Sequence, residues 1–255
     1  MAIRINLLFS IALMTKIVKI VLAVAAIGIA AICLSVVKLE QVKSSSSAHW
    51  INPLSKQSAA YGEAEKLHQW MRGNAKLTHA TRSLKPADKL GFAGQLATNG
   101  LARLSTDLLE QRLPLVERVL GSLNTRLCAR FIRGEIPDPE LVDYAIPVME
   151  AFSEAEAKAW FAVTKAAIEA ELDGSAIIVL STENAKQAIY QIRQSMYEPQ
   201  AEAFGLGLAS LQTQGDKEAC ATAQTLYSKG NSLPEPYRGY MARLLLTGKD
   251  GHQKP

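Results

Sequence analysis

Residues 20–37 read IVLAVAAIGIAAICLSVV and carry no charged side chain. A helix of that length spans about 27 Å, close to the hydrocarbon thickness of a bilayer at about 30 Å. Amphipathic helices of soluble proteins keep a polar stripe, which this stretch lacks. The sequence therefore predicts that residues 20–37 form a transmembrane signal anchor, with membrane lipid as the partner of this segment.

Two alternatives compete with the anchor. A cleaved signal peptide needs a small-residue cleavage site close behind its apolar region, and the nearest tolerable site, Ser46-Ser47-Ala48, lies far downstream. A lipoprotein acylated at Cys33 would need a small residue before that cysteine, and Ile32 stands there. The uncleaved anchor explains the pattern better than either alternative.

Basic residues flank this segment on both sides. Three precede it and two follow it: Arg4, Lys16 and Lys19, then Lys38 and Lys43. This small excess predicts a cytoplasmic segment at residues 1–19 and an exported C-terminal part. The expected location is the bacterial inner membrane, crossed once, with the C-terminal domain in the periplasm. Met14 would also serve as the start, in which case residues 1–13 are a start-site extension.

The rest of the chain predicts an all-α protein. A serine run at residues 44–47 indicates a linker over residues 38–52, and residues 249–255 form a polar tail. Between them, helical periodicity and capping signals predict an α-helical extracytoplasmic domain at residues 53–248. We expect eight to nine helices in a compact bundle or a helical-hairpin array, with a possible sub-boundary near residues 134–139.

Particular residues set the expected helix ends. Pro114 fits the first turn of a helix, and Pro147 should end or kink another. Ser153 and Glu156 have the spacing of a capping box. The one strand-like run, residues 176–180 (AIIVL), is isolated and is expected to be a buried connector or a helix.

Charge is unevenly distributed. Residues 44–133 hold thirteen basic and six acidic side chains, whereas residues 134–255 hold ten and seventeen. Residues 44–255 are therefore neutral in total, which argues against a nucleic-acid partner. Either the two halves neutralise each other on packing, or a basic face lies near anionic lipid or an acidic partner. Residues 66–89 alone contain six lysines and arginines and one acid, Asp88.

The chain has three cysteines, and Cys33 lies in the predicted span. Cys128 and Cys220 are candidates for a disulfide if the domain is exported, because that compartment is oxidising. The alternative is two buried free thiols. Without a CxxC pair or a cluster of cysteine and histidine, no metal site is expected.

Known catalytic and cofactor motifs are missing from the sequence, so we expect no catalytic residues and no cofactor. Glu65 and His68 have the ExxH spacing of di-iron bundles, but a single copy is a chance match. Trp50 either anchors the chain at the membrane interface or begins the folded domain. Tyr237 and Arg238 either form a protein interface or pack as a structural corner.

These observations favour a membrane-anchored α-helical module that binds or scaffolds a protein partner in the bacterial cell envelope, without catalysis. One alternative is an envelope enzyme that acts on peptidoglycan or lipid. Another is an immunity protein that neutralises an exported toxin, although no particular residue argues for it.

Overall fold

The computed structural model describes residues 50–135 and 138–247, and eleven α-helices account for most of them. In chain order these are α1 (Ala59–Gly73), α2 (Ala75–Ala80), α3 (Pro86–Leu101), α4 (Thr106–Ser122), α5 (Thr125–Ile132), α6 (Asp138–Glu150), α7 (Glu154–Leu172), α8 (Thr182–Gln194), α9 (Glu198–Ala209), α10 (Asp216–Asn231) and α11 (Tyr237–Thr247). The described residues confirm an all-α helical bundle.

Three helices form the centre of the bundle. α7 packs against α1, α3 and α4, and α11 packs against α3, α4, α8 and α10. α4 contacts both α7 and α11 and so joins the two groups. Every residue of α11 from Met241 to Thr247 is buried. Because no face of this stretch reaches solvent, the last helix is a core element.

The hydrophobic core continues across the predicted sub-boundary near residues 134–139. One cluster of buried side chains contains residues from both sides of this boundary. Leu67 and Leu113 precede it, and Phe161, Leu208 and Leu245 follow it. α10 also packs on both α4 and α5. The helices on either side of residues 134–139 therefore share one core.

Local signals explain several helix ends. The backbone N–H of Ser153 donates to Glu156 at 2.7 Å, and the N–H of Glu156 donates to the Ser153 hydroxyl at 3.3 Å. This is the predicted capping box at the start of α7. Gly174 follows α7 with a φ of +63°, which glycine adopts without a steric penalty. Asn124 caps α5 by accepting a hydrogen bond from the N–H of Leu127.

The predicted helix start at Pro114 was wrong. Pro114 lies inside α4, and α6 likewise continues past Pro147 to Glu150, so Pro147 does not end it. An internal proline costs about 3 kcal/mol through a lost hydrogen bond and a steric clash. α4 tolerates Pro114 because the helix buries an extensive apolar face, including Leu113 and Val119 at 0% exposure.

The predicted eight to nine helices were too few for two reasons. The short helix α2 was not predicted. In addition, residues 86–133 form three helices rather than two, with breaks at residues 102–105 and 123–124. Ser105 and Asn124 are the N-cap residues after these breaks. The apolar stripe continues across both breaks, so the hydrophobic pattern of the sequence did not indicate them.

Residues 176–180 were expected to form a buried connector or a helix, and this was wrong. Residues 175–179 adopt no helix, and Ile177, Ile178 and Val179 are 36%, 43% and 48% exposed. Only Leu180 at the end of the run is buried. The backbone of Ile178 explains the extended form, because its N–H donates to the carbonyl of Ala102 at 2.9 Å.

The predicted transmembrane segment at residues 20–37 lies outside the described residues, as do the N-terminal segment, most of the linker and the polar tail. Among the described helices, none combines the length and the hydrophobicity needed to cross a bilayer.

Candidate functional site

Cys128 of α5 and Cys220 of α10 are bonded to each other. Their sulfur atoms are 2.02 Å apart and their Cα atoms 5.4 Å apart. Both side chains are buried, at 0% and 5% exposure. The predicted cysteine pairing therefore fits the structure, and the bond joins the basic half of the domain to the acidic half.

Arg238 lies between two carboxylates. Its Nη2 is 3.0 Å from Oε2 of Glu110, and its Nε is 3.0 Å from Oε1 of Glu235. The neighbouring Tyr237 is half-buried and meets Tyr240 edge to face, with ring centroids 6.1 Å apart. Both side chains of the predicted interface are thus engaged within the chain. This favours the structural corner, and an interface role for Tyr237 and Arg238 stays a prediction.

Burial and the interaction with Arg238 shift the pKa of Glu110 in opposite directions. Burial raises the pKa of Glu110, while the hydrogen bond from Arg238 lowers it and the nearby Glu235 raises it. The hydrogen bond that Arg238 donates to Glu110 raises the pKa of Arg238 in turn. Gly239 permits this arrangement, because a Cβ there would lie 2.6 Å from Oε1 of Glu110. The three charges hold the start of α11 against α4, which is a structural role.

Trp50, the first described residue, packs on α1. Its ring stacks on His68 with centroids 4.0 Å apart, and its side chain is half-buried against the core. Glu65, the other residue of the ExxH spacing, accepts a hydrogen bond from Asn52 at 3.0 Å. These contacts favour the interpretation that Trp50 begins the domain. A role for Trp50 at the membrane interface stays a prediction.

The described side chains form no cluster of possible metal ligands. Within residues 50–135 and 138–247, no three histidine, cysteine or acidic side chains come together as a metal site would require.

A surface groove of about 610 Å³ runs between α4 and α10. It is lined by Pro114, Glu117, Arg118, Gly121, Gln224 and Ser228. Its charged side chains already have partners. Glu117 accepts a hydrogen bond from Asn231 at 3.0 Å, and Arg118 donates to Glu156 at 2.9 Å and to the Ala151 carbonyl at 2.8 Å. Among its lining residues Glu117 is the only acid and Ser228 the only hydroxyl, so no pair of convergent acids lines the groove.

Sequence reasoning missed two buried arginines. Arg112 is 0% exposed, lies 3.9 Å from the centre of the Trp160 ring and donates to Thr164 at 2.9 Å. Arg243 is 3% exposed and donates to backbone carbonyls and a hydroxyl. Both arginines stand at helix positions where the apolar periodicity predicts a side chain that faces the core. This periodicity is the sequence signal that could have identified them as buried.

Apart from the single residues Ile51 and Tyr144, the large exposed apolar side chains among the described residues occur in two places. The first is the apolar segment, residues 176–179, between α7 and α8. The second is the α8–α9 hairpin, where Tyr190, Tyr197 and Leu206 are 49%, 67% and 60% exposed. Large exposed apolar groups that cluster on a soluble domain mark sites of interaction with proteins or membranes.

A basic surface lies on α2 and its flanks. We define it as Arg72, Lys76, Arg82, Lys85 and Lys89, all of which are exposed. Lys76 pairs with Asp173 at 2.6 Å, and the other four make no ion pair with a residue whose side chain is described. The exposed acid Asp88 is the one opposite charge among residues 72–89. This surface carries the positive excess that the sequence located at residues 66–89.

Comparisons with known proteins add no relative: no family model matches the chain, and neither a curated protein nor a solved structure is significantly similar to it.

Proposed function

We propose that the chain is a membrane-anchored extracytoplasmic helical module of the bacterial cell envelope, which binds or scaffolds a protein partner through its α8–α9 hairpin. The observation that carries the proposal is the exposure of Tyr190, Tyr197 and Leu206 on this hairpin. Tyrosine is enriched at the energetic centres of protein interfaces, because it offers a large rigid contact area and a hydroxyl.

The arrangement of the hairpin supports a common binding face. The guanidinium of Arg193 on α8 lies 3.9 Å from the position that a Cβ of Gly205 on α9 would occupy. Tyr190 lies one turn before Arg193 on α8, and Leu206 is next to Gly205. The two helices therefore bring Tyr190 and Leu206 to neighbouring parts of the hairpin.

The disulfide supports an extracytoplasmic location. Stable disulfides form in oxidising compartments and are rare in the bacterial cytosol. The Cys128–Cys220 bond agrees with the export that the predicted signal anchor implies. A topology fusion at the C-terminus tests this step, and reporter activity that is confined to the cytoplasm would contradict it.

Site-specific photo-crosslinking in living cells tests the binding face. Tyr197→p-benzoylphenylalanine and Leu206→p-benzoylphenylalanine should each give the same discrete crosslinked species. Tyr144 is the matched control, because it is also an exposed tyrosine, at 38%, but lies on α6. The proposal fails if crosslinks are equally abundant at Tyr144, or if neither hairpin position gives a defined product.

A further inference from the structure

We propose that the basic surface and the apolar segment together form a docking face for an anionic lipid bilayer, so that the tethered domain lies against the membrane on this face. This inference goes beyond the partner-binding hairpin and rests on the membrane tether of the proposed function. All four residues of the apolar segment are exposed, which is unusual for consecutive apolar side chains.

The apolar segment is held outward by its own backbone. The N–H of Ile178 donates to the carbonyl of Ala102, and the carbonyl of Ile178 accepts from Nη1 of Arg243 at 3.1 Å. Arg103 holds the preceding Ser175 through its carbonyl oxygen. These bonds fix the segment in an extended form while the side chains of Ala176 to Val179 face solvent. A run of four exposed apolar residues on a fixed backbone indicates a function.

One cation of the basic surface, Lys76, lies near the start of the apolar segment. Its ion pair with Asp173 brings the Lys76 side chain to the residue that follows α7. Gly174 then turns the chain, and Ile177 follows Asp173 by four residues, a reach of at most about 14 Å. Cations beside exposed aliphatic side chains form the combination that binds lipid headgroups and the outer acyl region.

The tether keeps this face close to a bilayer. Twelve residues separate the end of the predicted span at Val37 from Trp50. A flexible linker of that length has a root-mean-square reach of about 20 Å, comparable to the radius of a domain of this size. At such a short range a weak contact is effective, because the tether makes docking an intramolecular event.

Charge complementarity favours lipid over other occupants. Four of the five cations have no ionic partner among the residues whose side chains the structure describes, so they are available to phosphate groups. Each such cation near an anionic surface adds to the attraction, and the sum decreases with salt.

Hydrogen exchange of the full chain in lipid nanodiscs tests the inference. Two compositions are compared: phosphatidylcholine alone, and phosphatidylcholine with phosphatidylglycerol. We expect amides in residues 72–89 and 175–180 to exchange about five-fold more slowly in the anionic discs, because docking excludes water and restricts opening. High salt should remove the difference.

Two variants separate the contributions of charge and apolar contact. Arg82→Gln with Lys85→Gln and Lys89→Gln should abolish the lipid-dependent protection. Ile177→Ser with Val179→Ser should abolish it in residues 175–180.

The matched control removes the same charge elsewhere. Lys56→Gln with Lys158→Gln and Lys217→Gln neutralises three exposed lysines outside the docking face and should leave the protection unchanged.

Two results would overturn the inference, and they are distinguishable. If the chain enters nanodiscs but exchanges equally in both lipids, the docking face is wrong and an acidic protein becomes the expected ligand of these cations. If the chain does not enter nanodiscs at all, the tether of the proposed function fails and the docking face fails with it.

Discussion

Nη1 of Arg243 donates a hydrogen bond of 3.1 Å to the carbonyl oxygen of Ile178. The same guanidinium donates to the carbonyl of Leu104 at 2.8 Å and to the hydroxyl of Thr106 at 3.2 Å. One buried cation on α11 thus joins the apolar segment to the turn between α3 and α4. Burial lowers the pKa of Arg243, yet a guanidinium stays protonated at any physiological pH.

The replacement Arg243→Met should destabilise the domain by about 2–4 kcal/mol, because it leaves buried acceptors without their donor. The free energy of unfolding, measured by urea titration with circular dichroism, checks this expectation. Arg126→Met is the matched control on α5, since Arg126 is exposed and should change stability by no more than about 0.5 kcal/mol. Equal effects of the two replacements would show that Arg243 is not a structural clamp.

Gly100 allows α3 to approach α7 closely. A Cβ at Gly100 would overlap the carbonyl oxygen of Ala167. Gly100→Ala should therefore destabilise the domain by about 1–3 kcal/mol through overpacking. Gly91 is the control on the same helix, because a Cβ there meets nothing within 4 Å. Gly91→Ala should be neutral or stabilising by up to about 1 kcal/mol, and a thermal melt that ranked the two variants in reverse would refute the close approach.

Sequence patterns predicted the helical class, the capping box at Ser153 and the pairing of Cys128 with Cys220, because each depends on residue types at short spacings or on a very small set of candidates. They failed where tertiary burial outweighs local preference. Pro114 resembles a helix start by itself, but the packing of α4 keeps it internal.

The candidate surfaces were less predictable than the fold. The exposure of residues 177–179 depends on a hydrogen bond from Arg243, more than sixty residues away in the chain. No local pattern encodes that contact. The basic excess at residues 66–89 was visible in the sequence, whereas its proximity to the apolar segment required the ion pair between Lys76 and Asp173.

The disulfide should supply a large part of the stability. It closes a loop with a sequence separation of 92 residues, and the chain-entropy model assigns about 4–5 kcal/mol to a loop of that size. Cys128→Ala with Cys220→Ala should lower the urea midpoint accordingly. Reductant should bring the unmodified chain close to the midpoint of the double variant and leave that variant unchanged. Insensitivity of the unmodified chain to reductant, with both thiols accessible to labelling after unfolding, would contradict the bond.

The capping box predicts a dependence of stability on pH. The hydrogen bond from the backbone of Ser153 is the main cause that lowers the pKa of Glu156 from its ordinary value of 4.5, assisted by the Ser153 hydroxyl and Arg118. A carboxyl whose folded pKa is depressed stabilises the protein above its unfolded pKa, and this contribution is lost as the pH falls through the folded pKa. Glu156→Gln should therefore cost stability near neutral pH.

The cost of Glu156→Gln should shrink as the pH falls from about 6 to about 3, because the carboxyl of the unmodified chain becomes protonated in that range. Urea unfolding at a series of pH values measures the difference between the two chains. Ser153→Ala removes the other half of the box and should cost about 1 kcal/mol at neutral pH. Glu202→Gln on α9 is the control, since Glu202 is exposed and makes no hydrogen bond or ion pair with a described residue. A cost for Glu156→Gln that stays constant over this pH range would mean that the charge of Glu156 does not stabilise the start of α7.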